Sequence, residues 1–440
     1  MLFIENVDKE RYEEFVKNHK TKSHFLQSYS WGEFSKENKM VTPYYVGLLD
    51  ENKNLIATAL LLQRKMPLGY SCFYSPRGFV CDYSNYKVIE EFTEKIKEFG
   101  KKKKAIFLKI DPDIKLQKLD LDGNKIEGED NFKLVDYLKK LGYKHLGFNK
   151  AFEHNQPRYT FRLDLKDGIE SVTNNFHSTT KKVINKGNPY SLEVYKNDEK
   201  YIDDFYKTMQ ETASRENICI YSKKYYLNFY KDLHKDDHSD IYIVYLNKKK
   251  TSLIFEKNLA DLNKSIENLT NENKKKELEN QRNKIMKLLD EINEVKEDKI
   301  PLSSIITAKY GDKVWTIHGG NSTLLRSMNS NYLIYYEIIK DACSSGYKTI
   351  DFFGTSYNPS QDDPEYGIWL FKKRLGGEYT EFIGEFDYVF KKVTYKMFNI
   401  LIKIRRKRAK RKRKQQNNNL KWLFLFVIKY LLMCYNYRGG

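Results

Sequence analysis

"TIDFFGTSYNPSQDDPEYGIWLFKKRLGGEYTEFIGEFDY" runs from Thr349 to Tyr388. Its first five residues, through Phe353, are strand formers, and Gly354 interrupts them. A polar, proline-containing loop follows. The next segment, Gly367 to Gly377, is short and amphipathic, with Lys372 and Lys373 beside Phe371. A second strand-like run ends in Gly384-Glu385-Phe386. Strand, loop, amphipathic segment and strand in this order belong to a mixed α/β chain.

The same alternation extends outward. Tyr44–Leu49 and Leu55–Leu62 read as paired strands across "DENKN". Val88 to Lys104 reads as a helix, because Ile89, Phe92, Ile96 and Phe99 recur on one face. Ala105 to Ile110 is a buried strand, ended by Asp111-Pro112-Asp113, and a second helix from Phe132 stops at Gly142. From Arg158 the theme restarts: "RYTFRLDL", "SLEVYK" and "DIYIVYL" are strands, and Tyr201 to Glu216 is a helix. The repeat is one of architecture, since the two halves do not align residue by residue. The expected organisation is therefore a unit at 1–157 and a second at 158–249 and 301–390.

Residues 250–300 break the rhythm. Phe255, Leu259, Leu262, Ile266 and Leu269 keep heptad spacing, as do Leu278, Ile285, Leu288, Ile292 and Val295 after a polar turn. Two helices of about twenty residues predict an inserted antiparallel coiled-coil hairpin roughly 30 Å long. Such an arm serves as a strut, as a dimer contact or, through its many lysines, as a surface for RNA.

The 440 residues exceed one ordinary core. The formal charge is +19, and ten basic residues with no acid lie within Lys403–Lys414; without them +9 remains. That balance favours a polyanionic partner. Residues 391–440 form a basic tail ending in "LKWLFLFVIKYLLMCYNY", whose apolar part is split by Lys429 and short of a bilayer span. It reads as a short amphipathic segment on an anionic membrane surface; a nucleic-acid-binding tail or a disordered end are the other readings. Five scattered cysteines, without a Cys-x-x-Cys pair, argue against a disulfide framework or a zinc ribbon. Acids near the N-terminus argue against a signal peptide, so a cytoplasmic location is expected.

Common catalytic motifs are absent: no Walker-type phosphate loop, Gly-x-Ser-x-Gly, His-Glu-x-x-His or Rossmann fingerprint occurs. His234 and His238 stand four apart in "HKDDH" without a further ligand cluster, so a solvated turn is expected there and no metal. By residue type alone, Lys372 is a surface charge beside a packed Phe, Asp111 before Pro112 is a turn residue, and Lys181 with Lys182 is a solvated helix face.

Ordered motifs reverse that reading. Tyr347, Asp351, Phe352, Gly354, Phe371, Lys372, Gly376, Gly377, Gly384, Glu385, Phe386 and Asp387 follow the C-terminal pattern of the Fem family, and the chain resembles that family from about Phe25 to Tyr388. "FLQSYSWGEF" is similar to the family's Leu-Gln-x-x-x-Trp-Gly element through Leu26, Gln27, Trp31 and Gly32, with Lys36 one position later than the usual lysine. Arg77 and Gly78 match an Arg-Gly-Pro element in which Phe79 replaces Pro; Asp111 ends a strand as in the family; Lys181 occupies an arginine position.

The resemblance implies two acetyltransferase-like subdomains with a helical arm. It implies transfer of an amino acid from aminoacyl-tRNA to the stem-peptide amine of lipid II or UDP-MurNAc-pentapeptide, at the inner face of the cell membrane. No further cofactor is implied, and no acetyl-CoA pyrophosphate loop occurs. Lys372 and Asp111 are the implied catalytic residues. Lys36, Arg77, Lys181, Trp31 and Phe371 are the implied substrate-binding ones. A non-catalytic nucleic-acid or membrane adaptor and an acyl-CoA N-acetyltransferase are the alternatives.

Overall fold

The computed structural model describes residues 1–150 and 155–416. Strands of the first part are β1 (Leu2–Ile4), β2 (Thr42–Leu49), β3 (Leu55–Lys65), β4 (Ser71–Ser75), β5 (Val80–Cys81), β6 (Ala105–Ile110), β7 (Lys115–Leu119), β8 (Lys125–Asp130) and β9 (Tyr143–His145). Those of the second are β10 (Tyr159–Asp164), β11 (Glu193–Lys196), β12 (Ser239–Asn247), β13 (Lys299–Tyr310), β14 (Lys313–Asn321), β15 (Thr349–Thr355), β16 (Glu378–Phe382) and β17 (Phe386–Val389). They form two mixed sheets flanked by helices, so the fold class is the expected α/β one.

The first sheet runs β1-β2-β3-β4-β6-β17-β9, with β5 against β3; the second runs β11-β12-β13-β14-β15-β10-β16-β7-β8. Each sheet takes strands from both sides of position 157/158. β17 lies antiparallel between β6 and β9, and β7 extends the second sheet by pairing with β16. The physical reason is burial: every residue of β6 is buried, so the strand needs a hydrogen-bonding partner on each side.

β6 is covered on both faces. Helix Tyr86–Lys102, capped by Asn85, packs Val88, Ile89, Phe92, Ile96 and Phe99 on the side of Leu108 and Ile110. Ile106 and Phe107 meet Tyr395, Phe398 and Ile402 of helix Lys392–Gln416. The start of the basic tail is thus part of the core of the first sheet. The apolar run at 420–437 lies outside the described residues.

Between β12 and β13, helices Lys248–Glu267 and Glu272–Glu294 pack against one another, each capped by an asparagine, Asn247 and Asn271. Phe255, Leu288 and Ile292 join the core of the second sheet, whereas Ile266 is buried near the turn between the two helices. No helix among the described residues is long and apolar enough to cross a membrane.

The Gly376-Gly377 pair turns helix Tyr366–Arg374 into β16 with positive φ at both residues. A Cβ at Gly377 would fall 2.4 Å from the Arg162 carbonyl oxygen, so the helix reaches the sheet only with glycine there.

Candidate functional site

Asp111 stands immediately after β6. Its carboxylate accepts hydrogen bonds from the Tyr74 hydroxyl and the Arg77 backbone N–H, both at 2.7 Å. The Arg77 guanidinium donates to the Pro157 carbonyl at 2.7 Å and lies 4.2 Å from the centre of the Phe382 ring. Burial pushes the Asp111 carboxyl up to about 7, against the pull of Arg77 and with a further push from Glu385. Asp111, Arg77, Gln156, Arg158, Phe382 and Glu385 line one narrow cleft between the two sheets. Its enclosed volume, about 10 Å³, holds about one water. The Gln156 Oε1 atom is buried there without a hydrogen-bond partner among the described residues. A buried acceptor in that condition is ready to receive a donor from outside.

Lys372 sits on helix Tyr366–Arg374 and is 4% exposed. Burial excludes the surface-charge reading. Its Nζ donates to the carbonyls of Phe353 at 3.0 Å and Gly354 at 2.6 Å. Loss of water lowers its pKa to about 7, and Asp351 opposes the shift. The two carbonyls point at Lys372 because the chain kinks at Phe353, which takes a φ of +57°. Asp351 holds that kink by accepting the Phe353 N–H at 2.7 Å. Arg162 in turn donates to Asp351 at 2.7 Å and to both oxygens of Asp113 at 2.9 and 3.0 Å. Burial raises the Asp113 carboxyl, but the Arg162 guanidinium together with Lys313, His24 and Arg77 outweighs it and holds the group far below the usual carboxylate range. Arg162 therefore connects the loop under Lys372 to the segment that carries Asp111.

Of the sequence-derived residues, the structure brings Asp111 and Arg77 into one cleft. Lys372, Phe371, Trp31, Lys36 and Lys181 do not line it. Phe371 packs edge-on against Tyr332 and Tyr335. Lys181 lies half-buried on helix Ser178–Asn185, whose start is bonded to the end of the Lys372 helix: the His177 N–H and the Thr180 hydroxyl both donate to the Arg374 carbonyl. Lys36 is exposed and pairs with Glu33 at 3.1 Å. Trp31 is core rather than ligand surface, its ring enclosed by Phe25, Phe34 and Phe229 and lying 3.7 Å from the Lys39 ammonium. In "HKDDH" the expected exposed turn is present at residues 235–237, but His238 is buried and bonded to Ser30, and His234 is bonded to the Ser239 carbonyl.

Sequence reasoning missed Arg158 and Arg162. Arg162 lies on β10, an interior strand of the second sheet, on the same face as Thr160, and Arg158 immediately precedes that strand. An arginine within an interior strand and another just before it were the available signal. Arg158 pairs with Glu381, which also accepts the Tyr159 hydroxyl. On the first sheet, Lys109 bridges Glu385 at 3.0 Å and Asp387 at 2.8 Å.

Residues 7–403 match the model of the FemAB family. The lipid II:glycine glycyltransferase of Staphylococcus haemolyticus (strain JCSC1435) is 28% identical over 410 residues, covering 89% of this chain and 94% of that protein. The enzyme of the same name from Staphylococcus aureus (strain USA300) is 29% identical over 412 residues with the same coverage. A crystal structure of FemX superposes with a TM-score of 0.72 at 26% identity, over 90% of this chain and 99% of that one.

Proposed function

The chain belongs to the FemAB family, and from that premise we propose that this aminoacyltransferase extends the interpeptide bridge of peptidoglycan. The donor is an aminoacyl-tRNA and the acceptor a stem-peptide amine on lipid II or on UDP-MurNAc-pentapeptide. Glycine is the residue transferred, by analogy with the relatives' names. The observation that carries the reading is the Asp111–Arg77 cleft, in a chain matched over 89% of its length by a lipid II:glycine glycyltransferase.

The chemistry is modest. An amine attacks the ester carbon of the aminoacyl-tRNA, an amide C–N bond forms, and the ester C–O bond breaks. The terminal ribose oxygen leaves with one proton, and the amine loses one. Alignment and stabilisation of the tetrahedral oxyanion supply most of the rate. Asp111, poised near neutrality, takes the amine proton. Lys372, buried outside the cleft and held by two carbonyls of the adjoining loop, offers a positive charge to the oxyanion or a proton to the departing ribose oxygen only after that loop moves to bring it to the cleft. Arg77 orients Asp111 through its backbone N–H and bounds the cleft with its guanidinium. Lys36 and Lys181 serve acceptor phosphates only after a movement that brings them to the cleft.

The enzyme works at the cytoplasmic face of the membrane, held there by its basic tail. Purified protein offered lipid II and a mixture of charged tRNAs should add one mass increment to the lipid, that of glycine. Ribonuclease treatment of the tRNA should abolish it. Transfer that is indifferent to ribonuclease would sink the proposal.

A further inference from the structure

Helix Lys392–Gln416 carries apolar side chains on two faces. Tyr395, Phe398 and Ile402 are buried against the first sheet. Val393, Met397, Ile400, Leu401 and Ile404 face outward and are 73%, 59%, 57%, 61% and 43% exposed. At 3.6 residues per turn these five fall within an arc of about 100°. No described residue covers them. A stripe of this size on a surface helix marks an interaction face rather than scattered surface chemistry.

Charge identifies its occupant. Asp387 is the last acidic residue of the sequence, and ten basic residues lie between Lys403 and Lys414, nine of them beyond the stripe. The same helical period places Lys392, Lys396 and Lys403 together along one flank. Nucleic acid would be drawn to the charge but gains nothing from five aliphatic side chains. An anionic bilayer satisfies both features at once.

We propose that the outward face of helix Lys392–Gln416 lies on an anionic bilayer, with Val393, Met397, Ile400, Leu401 and Ile404 inserted at the headgroup boundary and the exposed Lys392, Lys396 and Lys403 beside them at the lipid phosphates. The proposal rests on the membrane-face reading above and assigns its contact to a folded helix. That helix is tied to the cleft. The chain leaves the cleft at Glu385, just before β17, and reaches Lys392 over a span of at most about 23 Å at the rise of an extended chain. The same strand is locked at its start by Lys109 on Glu385 and Asp387, and Asp387 also accepts the Tyr395 hydroxyl at 2.6 Å. A helix seated on the bilayer thus sets the height of the cleft above a lipid-linked acceptor.

The test is co-sedimentation of the full chain with vesicles of phosphatidylcholine alone and of phosphatidylcholine with phosphatidylglycerol. The wild type should bind the second and not the first. A double Met397→Gln, Leu401→Gln variant adds no charge, and its melting temperature should not move, because both side chains are solvent-exposed. Its partitioning onto anionic vesicles should fall at least about tenfold. If the wild type ignores anionic vesicles, the membrane-face reading and this proposal fall together. If the wild type binds and the variant binds equally well, the proposal alone is overturned. A variant that keeps vesicle binding but loses affinity for tRNA would assign the face to nucleic acid and overturn it as well. So would a variant that melts lower with vesicle binding unchanged, since residues 417–440 of the same chain would then be the cover.

Discussion

Asp111 and Lys372 owe their chemistry to one cause, the loss of water, acting on opposite charges. For Asp111 the carboxyl rises from 3.8 to about 7. Between those values the folded protein holds a proton that the unfolded chain has released, so Asp111 supports the fold in acid and loses that support as pH climbs toward 7. The loss is on the order of 4 kcal/mol by pH 8. Asp111→Asn carries no such slope, and its side-chain oxygen still accepts one of the two hydrogen bonds. Thermal melts from pH 4 to 8 should therefore show the variant gaining on the wild type as pH rises, while its turnover falls about 10²-fold or more. A constant difference in melting temperature would show that Asp111 is ionised throughout. For Lys372 the sign is reversed in origin. Its pKa falls from 10.5 to about 7, so the unfolded chain binds the extra proton between those values, and its contribution to stability is lost as pH falls toward 7. Activity that needs Asp111 deprotonated and Lys372 protonated peaks near pH 7 with both limbs close by. Lys372→Ala should cut kcat about 10²- to 10³-fold and remove the alkaline limb. Near-normal turnover would take Lys372 out of the reaction.

At the scale of elements, the helical arm is anchored unevenly. Ile292 is fully buried with Phe255 and Leu288 in the core of the second sheet, whereas Ile266 is covered close to the turn between the arm helices. Ile292→Ala should cost about 2–5 kcal/mol of global stability. Ile266→Ala should leave the melting of the body unchanged and raise amide exchange only between Leu262 and Leu278. Equal losses at the two positions would show that arm and body melt as one unit. The heptad pattern made this arm legible, as helical spacing did for Tyr86–Lys102, because both signals lie within a few turns of one helix. Lys372 was legible as a motif residue but not as a buried one. A nine-residue helix has too few turns to say which face is covered, and the carbonyls that hold its ammonium depend on the left-handed φ at Phe353, which side-chain identity does not announce. Trp31 failed in the opposite direction: its neighbours Phe25, Phe34 and Phe229 close around it, and Phe229 comes from a remote helix.

At the scale of the whole molecule, the least legible feature was the exchange of strands, because β17 and β6 pair from opposite ends of the chain and local periodicity carries no trace of that register. It has a consequence for where the chain can be cut. Ending it after Phe390 keeps β17 but strips Tyr395, Phe398 and Ile402 from Cys72, Ile106 and Phe107, and it takes the Tyr395 hydroxyl from the fully buried Asp387. Each lost aromatic is worth about 3–5 kcal/mol when truncated in a core, and an uncovered β6 face is an aggregation site. Ending it after Gln416 leaves every described contact in place. The first truncation should therefore aggregate or melt at least about 10 °C lower, whereas the second should melt with the full chain and keep transfer to a soluble nucleotide-linked acceptor. Differential scanning calorimetry separates the two, and equal melting temperatures would show that helix Lys392–Gln416 contributes nothing to the core. The distinction matters for function. A loss of vesicle binding after the shorter cut would report an unfolded sheet, so only the cut after Gln416 measures what the terminal segment adds to the membrane face of the helix.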